Sequence, residues 1–334
     1  MSDEVAETMD GADNNKAETV RGGNLGSYRV VPHALYRGTM SFDPPDGKAV
    51  GTTEADIALF WDAFIQGRGE AGSAHRAEDF LCRLVVFEVP KLRGMEQKWV
   101  TYGREKCVVR DGVETPRSLD DYTFSLDLTD LPEGMVAHVY EGRAGKGGKG
   151  KFVDPVYGLP TNPETRKIGV FYFIVTMSNP NGDPQGAGAP RTDDDDYGII
   201  TPACVKRNVR DYAATSHGKP LYIARDSVED LNAVQARFLK KPDQDAKPKK
   251  GKAKEDDKAI IIDSAAMCAE FIDIRLFGGM VPKADRKMRG PWKVSHMISI
   301  TPIEVLDIGW SRVTGHDREK VKRGAKPAPT AEAK

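Results

Sequence analysis

The chemistry most plainly written in this sequence is the capture of an anion. Lys206, Arg207 and Arg210 crowd the opening of one segment, with Arg191 upstream of them. Ahead of both runs a turn-forming stretch, Asn179-Pro180-Asn181-Gly182-Asp183-Pro184. Cations at a helix start supply charge, and an arginine fork matches phosphate oxygens. A loop containing Gly182 lets backbone N–H groups approach an anion closely. Asn179, Asn181, Gly182, Arg191, Lys206, Arg207 and Arg210 are therefore candidate phosphate ligands. The plain alternative is that the cations form the solvated face of an amphipathic helix.

Two elements must hold such a cradle. Residues 168–177 (IGVFYFIVTM) are almost wholly apolar and rich in β-branched and aromatic side chains, which predicts a central buried strand. Phe171 and Phe173 on it are either core or a stacking surface for bases, as on RNA-binding sheets. Beyond the loop 179–197, Thr201 and Pro202 supply an N-cap and a first-turn proline. Val205, Val209 and Tyr212 then recur on one helical face.

Other chemistries find less to work with. The run Asp193–Asp196 reads either as a solvated loop or as a metal-holding acid for RNA cleavage. The six histidines and four cysteines show no paired ligand spacing, so neither a zinc site nor a cofactor is expected. No Ser, Cys or His stands in a nucleophile context. Gly145–Lys151 superficially fits a phosphate-binding loop, but Phe152 follows where Ser or Thr is needed, so it reads as a linker.

The chain has 334 residues, 39% hydrophobic and 30% charged, with a formal charge of -1, so any case for a polyanionic partner has to be local. No apolar run approaches the roughly 20 residues that cross a bilayer. A soluble, cytoplasmic protein with buried reduced thiols is expected. The acidic residues 1–26 are expected to be a mobile arm and not a leader.

Residues 27–142 mix strands with one long helix. A strand is predicted over 28–40, with Pro32 marking an edge or bulge. A helix begins at Thr53-Glu54-Ala55-Asp56 and runs to about Ile65, burying Ile57, Phe60, Trp61 and Phe64. A glycine-rich connector (67–72) precedes a strand at 81–89, and Asp111-Gly112 predicts a hairpin between 99–110 and 113 onward. Residues 123–128 form another strand. Residues 143–166 are a linker by composition. Beyond the cradle a helix is predicted over 227–239, a lysine-rich insertion over 240–258, and a helix capped by Asp263 or Ser264 and ending at Gly278. Strands at 294–300 and 305–310 and a basic, Pro/Ala-rich tail (318–334) follow. The fold class expected is α+β.

At this point the residues resemble something specific. Asn179–Pro184, Ala189-Pro190-Arg191, Gly198–Thr201 and Cys204–Tyr212 are similar to the opening of the type I-C CRISPR backbone subunit, the crRNA-binding Cas-seven family. Asp273–Gly278 and Arg289-Gly290-Pro291 look like its next landmarks. The likeness then resumes at the front of the chain, in Val31–Tyr36, Leu59-Phe60-Trp61, Pro116-Arg117-Ser118 with Asp121-Tyr122, and Leu131–Gly134. Residues 167–317 thus resemble the family's first half and 27–142 its second, a circular permutation with the family's usual ends joined through 143–166. Trp292 and Lys293 depart from the family, which usually has a small apolar residue and an amide there.

The resemblance implies an RRM-like (ferredoxin-like) palm with insertions, and a thumb opened between Arg312 and Tyr28. It implies a non-catalytic subunit whose copies form a helical filament on guide crRNA and present it to target DNA in antiviral defence. Partners would be the guide, copies of the chain, and other Cascade subunits (small or large subunit and a Cas-five-type cap). Arg275 and Lys293 would extend the phosphate track. The alternative is a type III-like subunit that cuts target RNA with a metal held at Asp193–Asp196.

Overall fold

The computed structural model describes residues 25–70, 79–89, 103–142, 157–225, 227, 229–240 and 261–311. Most of the acidic arm, the Gly145–Lys151 run, nearly all of the lysine-rich insertion and the tail lie outside the described residues. Tyr28–Asp307 forms one compact unit. The described residues 25–27 and 308–311, where strands begin and end, belong to a second unit.

The apolar run becomes strand β6 (Arg166–Ser178), and it lies in the middle of an eight-stranded sheet. On one side β6 pairs antiparallel with β1 (Leu25–Phe42), and on the other with β2 (Asp79–Val89). The path continues from β2 to β5 (Val136–Glu141), and from β1 to β11 (Met297–Pro302) and then β7 (Tyr197–Ile200). β10 (Trp292–Val294) and β12 (Leu306–Ser311) also pair with β1. Alternation along β6 explains why so few polar atoms are tolerated. Phe171, Phe173 and Val175 enter one core, Val170, Tyr172 and Ile174 another, and all six are at most 3% exposed.

Five helices matter to the site: α1 (Pro44–Val50), α2 (Glu54–Glu70), α3 (Pro202–Thr215), α5 (Ser264–Glu270) and α6 (Ile272–Phe277). Helix α2 opens with the expected capping box, in which Thr53 N–H donates to Asp56 and Asp56 N–H to Thr53 Oγ1. It runs past Ile65 to Glu70, into the predicted connector. Gly67 there faces α3, where a Cβ would stand 3.0 Å from the Asn208 carbonyl oxygen, so glycine permits two helices to approach and does not end one.

Three other expectations change. The Asp111-Gly112 turn lies between β3 (Glu105–Val109) and β4 (Tyr122–Leu126), so the hairpin partner is the later strand, reached through a longer loop. The helix predicted over 227–239 contracts to α4 (Leu231–Ala236), because Asp230 caps it and only Val234 on it is buried. Pro32 lies in an interior strand, where the β1–β6 ladder skips it opposite Met177, a residue with φ 46°. By contrast α5 (Ser264–Glu270) begins at Asp263 as expected, and after a break at Phe271, α6 (Ile272–Phe277) ends at Gly278, φ 79°.

The fold is α+β, and front and back of the chain share one core. In the front, β1-α2-β2 leaves a gap between its two strands that β6 fills. In the back, β6-α3-β11 leaves a gap that β1 fills. Each is a split βαβ unit. Aromatic packing crosses the same divide: Phe60 of α2 stacks on Trp292, ring centroids 3.8 Å apart. The described end of the 143–166 stretch is docked, with Leu159 buried and Trp61 Nε1 donating to the Pro160 carbonyl at 3.0 Å. No helix among the described residues is long and apolar enough to cross a membrane, and Cys82, Cys107, Cys204 and Cys268 are free thiols.

Candidate functional site

Strand β6 delivers the chain into the Asn179–Pro184 loop, which is fastened from several sides. Arg68, from α2, is 2% exposed and donates from Nη2 to both Asp79 Oδ2 (3.0 Å) and the Pro180 carbonyl (2.9 Å). Asn181 accepts at Oδ1 from Thr201 N–H and Thr201 Oγ1, each at 2.8 Å, while Thr201 Oγ1 caps α3 through Cys204 N–H. Asn181 is therefore the brace of the helix start. Asn179 Nδ2 donates to the Gly188 carbonyl, and Gly182 lies so close to it that a Cβ would be 2.9 Å from that oxygen. The loop is folded back on itself, held by bonds from Asp183 N–H to Ala189 O and Gly188 N–H to Asp183 O.

Several predicted cations already have acidic partners within the chain. Arg191 pairs with Asp183 at 3.4 Å and Arg207 with Asp211 at 3.4 Å. Arg210 Nε bonds Asp273 Oδ2 at 3.0 Å, and Asp273 also accepts from Tyr222 N–H and Ile223 N–H. Arg275 grips both Asp56 oxygens at 2.9 Å and donates to the Cys268 and Ala269 carbonyls, which closes the end of α5. The sequence reading placed these arginines among phosphate ligands. The geometry gives each an internal ion-pair partner.

The cations converge elsewhere. A groove of about 930 Å³ is lined by Lys206, Arg286, Lys287, Arg289 and Lys293, with Asp46 contributing one opposing charge. Its floor and walls include Phe277, the two-residue ladder of β8 (Gly278–Gly279) with β9 (Met288–Arg289), and Trp292. Lys206 lies over the Phe277 ring, 5.5 Å from its centroid. Burial and the neighbouring Arg210 hold its pKa below the usual lysine value. Lys293 bonds Asp46 at 2.9 Å and Asp43 at 3.3 Å. Burial works against its charge, but those carboxylates more than offset this and its pKa is raised. Arg286 donates to Ser264 Oγ. Lys206, Lys287 and Arg289 have no ion pair among the described residues. Such a groove can hold a chain of phosphates, and only Lys206 and Lys293 of the sequence-predicted cations line it. Lys287 and Arg289 also line it and were not among the sequence candidates, although Arg289 stands in the Arg289-Gly290-Pro291 landmark, where a basic residue beside a glycine was the available signal.

Asp193–Asp196 forms a tight exposed turn. Asp193 Oδ1 accepts from Asp195 N–H and Tyr197 N–H, and Asp196 adopts φ 62°. No group of three or more His, Cys, Asp or Glu able to hold a metal occurs among the described residues. Phe171 and Phe173 are core.

Comparison with known proteins gives one finding. Residues 165–330 match the family model of the CRISPR-associated protein Cas7. Neither the curated proteins nor the solved structures contain a significant match.

Proposed function

We propose, from the match of residues 165–330 to the family model of the CRISPR-associated protein Cas7, that this protein is a backbone subunit of a CRISPR effector and lays guide crRNA along the groove at Lys206. The observation that carries the reading is the convergence of Lys206, Lys287, Arg289 and Lys293 on one groove inside the matched segment. Contacts from such cations fix a strand's position without reading its sequence, which suits a guide whose spacer varies. The subunit is of type I-C kind, non-catalytic and cytoplasmic. Copies stack as a helical filament with other Cascade subunits and offer the guide to target DNA. Asn179, Asn181 and Gly182 shape the entrance to α3 on this reading, and Arg191, Arg207, Arg210 and Arg275 act on RNA through the surfaces they hold in place.

The same reading treats the chain as circularly permuted. What supports this is strand order. Followed from β6 through α3 and β11, then from β1 through α2 to β2, the elements run β-α-β-β-α-β in two interleaved split units. That is the succession of an RRM-like palm, with 216–296 as its main insertion.

The test is the salt dependence of binding to single-stranded RNA. Each lost phosphate contact lowers the slope of log K against log salt by about 0.7 on single strands. Lys206→Ala with Arg289→Ala is expected to lower it by roughly 1.4. An unchanged slope and affinity would falsify the groove assignment.

A further inference from the structure

We propose that Asp43 and Asp46 form an autoinhibitory latch on Lys293, neutralising it while the groove is free and yielding it to a phosphate when a strand enters, an inference that rests on the guide-binding reading above. Five cations line the groove, and Lys293 is the one that carboxylates pair with among the described residues. Its Nζ lies 2.9 Å from Asp46 Oδ2 and 3.3 Å from Asp43 Oδ2, and Asp46 itself lines the groove.

The backbone sets these carboxylates in place. Ser41 and Phe42 of β1 pair with Lys293 and Trp292 of β10, and Asp43 N–H donates to the Pro291 carbonyl at 3.1 Å. The chain then turns into α1, packed so closely on this junction that a Cβ at Gly47 would stand 3.0 Å from the Phe42 ring and 3.6 Å from Pro291 Cβ. Asp43 is the N-cap residue of α1, where an aspartate ordinarily accepts from its own helix. It makes no such bond, and its two oxygens go instead to Arg166 (3.4 Å) and Lys293. Asp46, in the first turn, reaches the same ammonium. The acidic side chains at this helix start serve a contact across the fold.

Such a contact holds a cation back without holding it fast. Lys293 is half exposed, and ion pairs at that exposure are weak. A phosphate that is also held by Lys206, Lys287 and Arg289 can therefore displace the carboxylates. Apparent affinity is lowered only by the fraction of chains in which the latch is closed. The salt response changes as well. When Lys293 exchanges carboxylate for phosphate, the strand releases cations while the freed carboxylates gather them, so this contact adds little to the slope.

The experiment measures binding of single-stranded oligouridine RNA to the full chain across a salt series, with urea unfolding to check that each variant keeps its fold. Asp43→Asn with Asp46→Asn removes both charges at nearly constant shape and is expected to tighten binding about fivefold. It should also steepen the slope of log K against log salt by about 0.7. Asp46→Asn alone, which leaves the Arg166–Asp43 contact intact, should give part of both changes. Adding Lys293→Ala to the double variant should cancel them, whereas Lys293→Ala in the wild type should hardly move the slope. Lys206→Ala is the control for the groove and should weaken binding in every background. If the asparagine variants leave affinity and slope unchanged, or weaken binding because the pair braces Lys293, while Lys206→Ala still weakens it, the latch is wrong and the groove assignment stands. If Lys206→Ala has no effect either, or the wild type does not bind the strand, both fall.

Discussion

The buried pair Arg68–Asp79 offers the sharpest test of how the cradle loop is held. Both side chains are at most 2% exposed, their oxygen and nitrogen 3.0 Å apart, and the same guanidinium carries the Pro180 carbonyl and lies 5.3 Å from the Phe173 ring centroid. Arg68→Met leaves the Asp79 charge in the core with no counter-ion. Breaking one side of such a pair costs about 3–5 kcal/mol. For a unit of this size that corresponds to a fall in Tm of roughly 6–20 °C. Asp79→Leu strands the guanidinium and should lose a similar amount. The double variant removes both charges, so its loss should be well below the sum of the single losses. Urea unfolding followed by tryptophan fluorescence measures all four corners of the cycle. Additive losses, or an Arg68→Met loss under about 1 kcal/mol, would refute the claim that this pair fastens the loop.

Lys167 gives a pH prediction. It is 1% exposed and donates to the Asn162 and Thr165 carbonyls and to Thr165 Oγ1; burial lowers its pKa to about 8. The folded chain then binds fewer protons than the unfolded one between pH 8 and 10.5, so this group's contribution to stability rises with pH across that window. Lys167→Met should flatten that rise, seen as the wild-type minus variant difference in urea midpoint from pH 7 to 10. Gly290→Ala places a methyl against the Phe277 backbone and should cost about 3 kcal/mol or more while opening the β8–β9 ladder, read from amide exchange at Gly278 and Gly279. Residues 25–142 and 157–311 made as separate chains should each lack cooperative unfolding, yet regain it when mixed. Independent folding of either half argues against a shared core.

Much of the cradle was legible because its signals are local. The apolar run of β6, the Thr201-Pro202 start and the Asp263 cap each declare themselves within a few residues. The ion pairs were not legible, since Asp56 meets Arg275 across more than two hundred positions and nothing near Arg275 announces it. A guanidinium reads the same whether it faces a phosphate or a buried carboxylate. Gly67 misled for a related reason: glycine marks a loop locally, but here it answers to the approach of α3. Trp292, a departure from the family pattern, explains itself only in three dimensions, where it fills the space between Phe60, Trp61 and Phe42.

The position of β6 between β1 and β2 sets an order of events during translation. The ribosome releases both outer strands before their shared neighbour exists, and roughly 5–20 s separate residue 89 from residue 178 at ordinary elongation rates. Through that interval the nascent polypeptide carries two unpaired, apolar strand edges in the open. Holdase chaperones that shield such edges should therefore govern the yield of this protein more strongly than its final stability does.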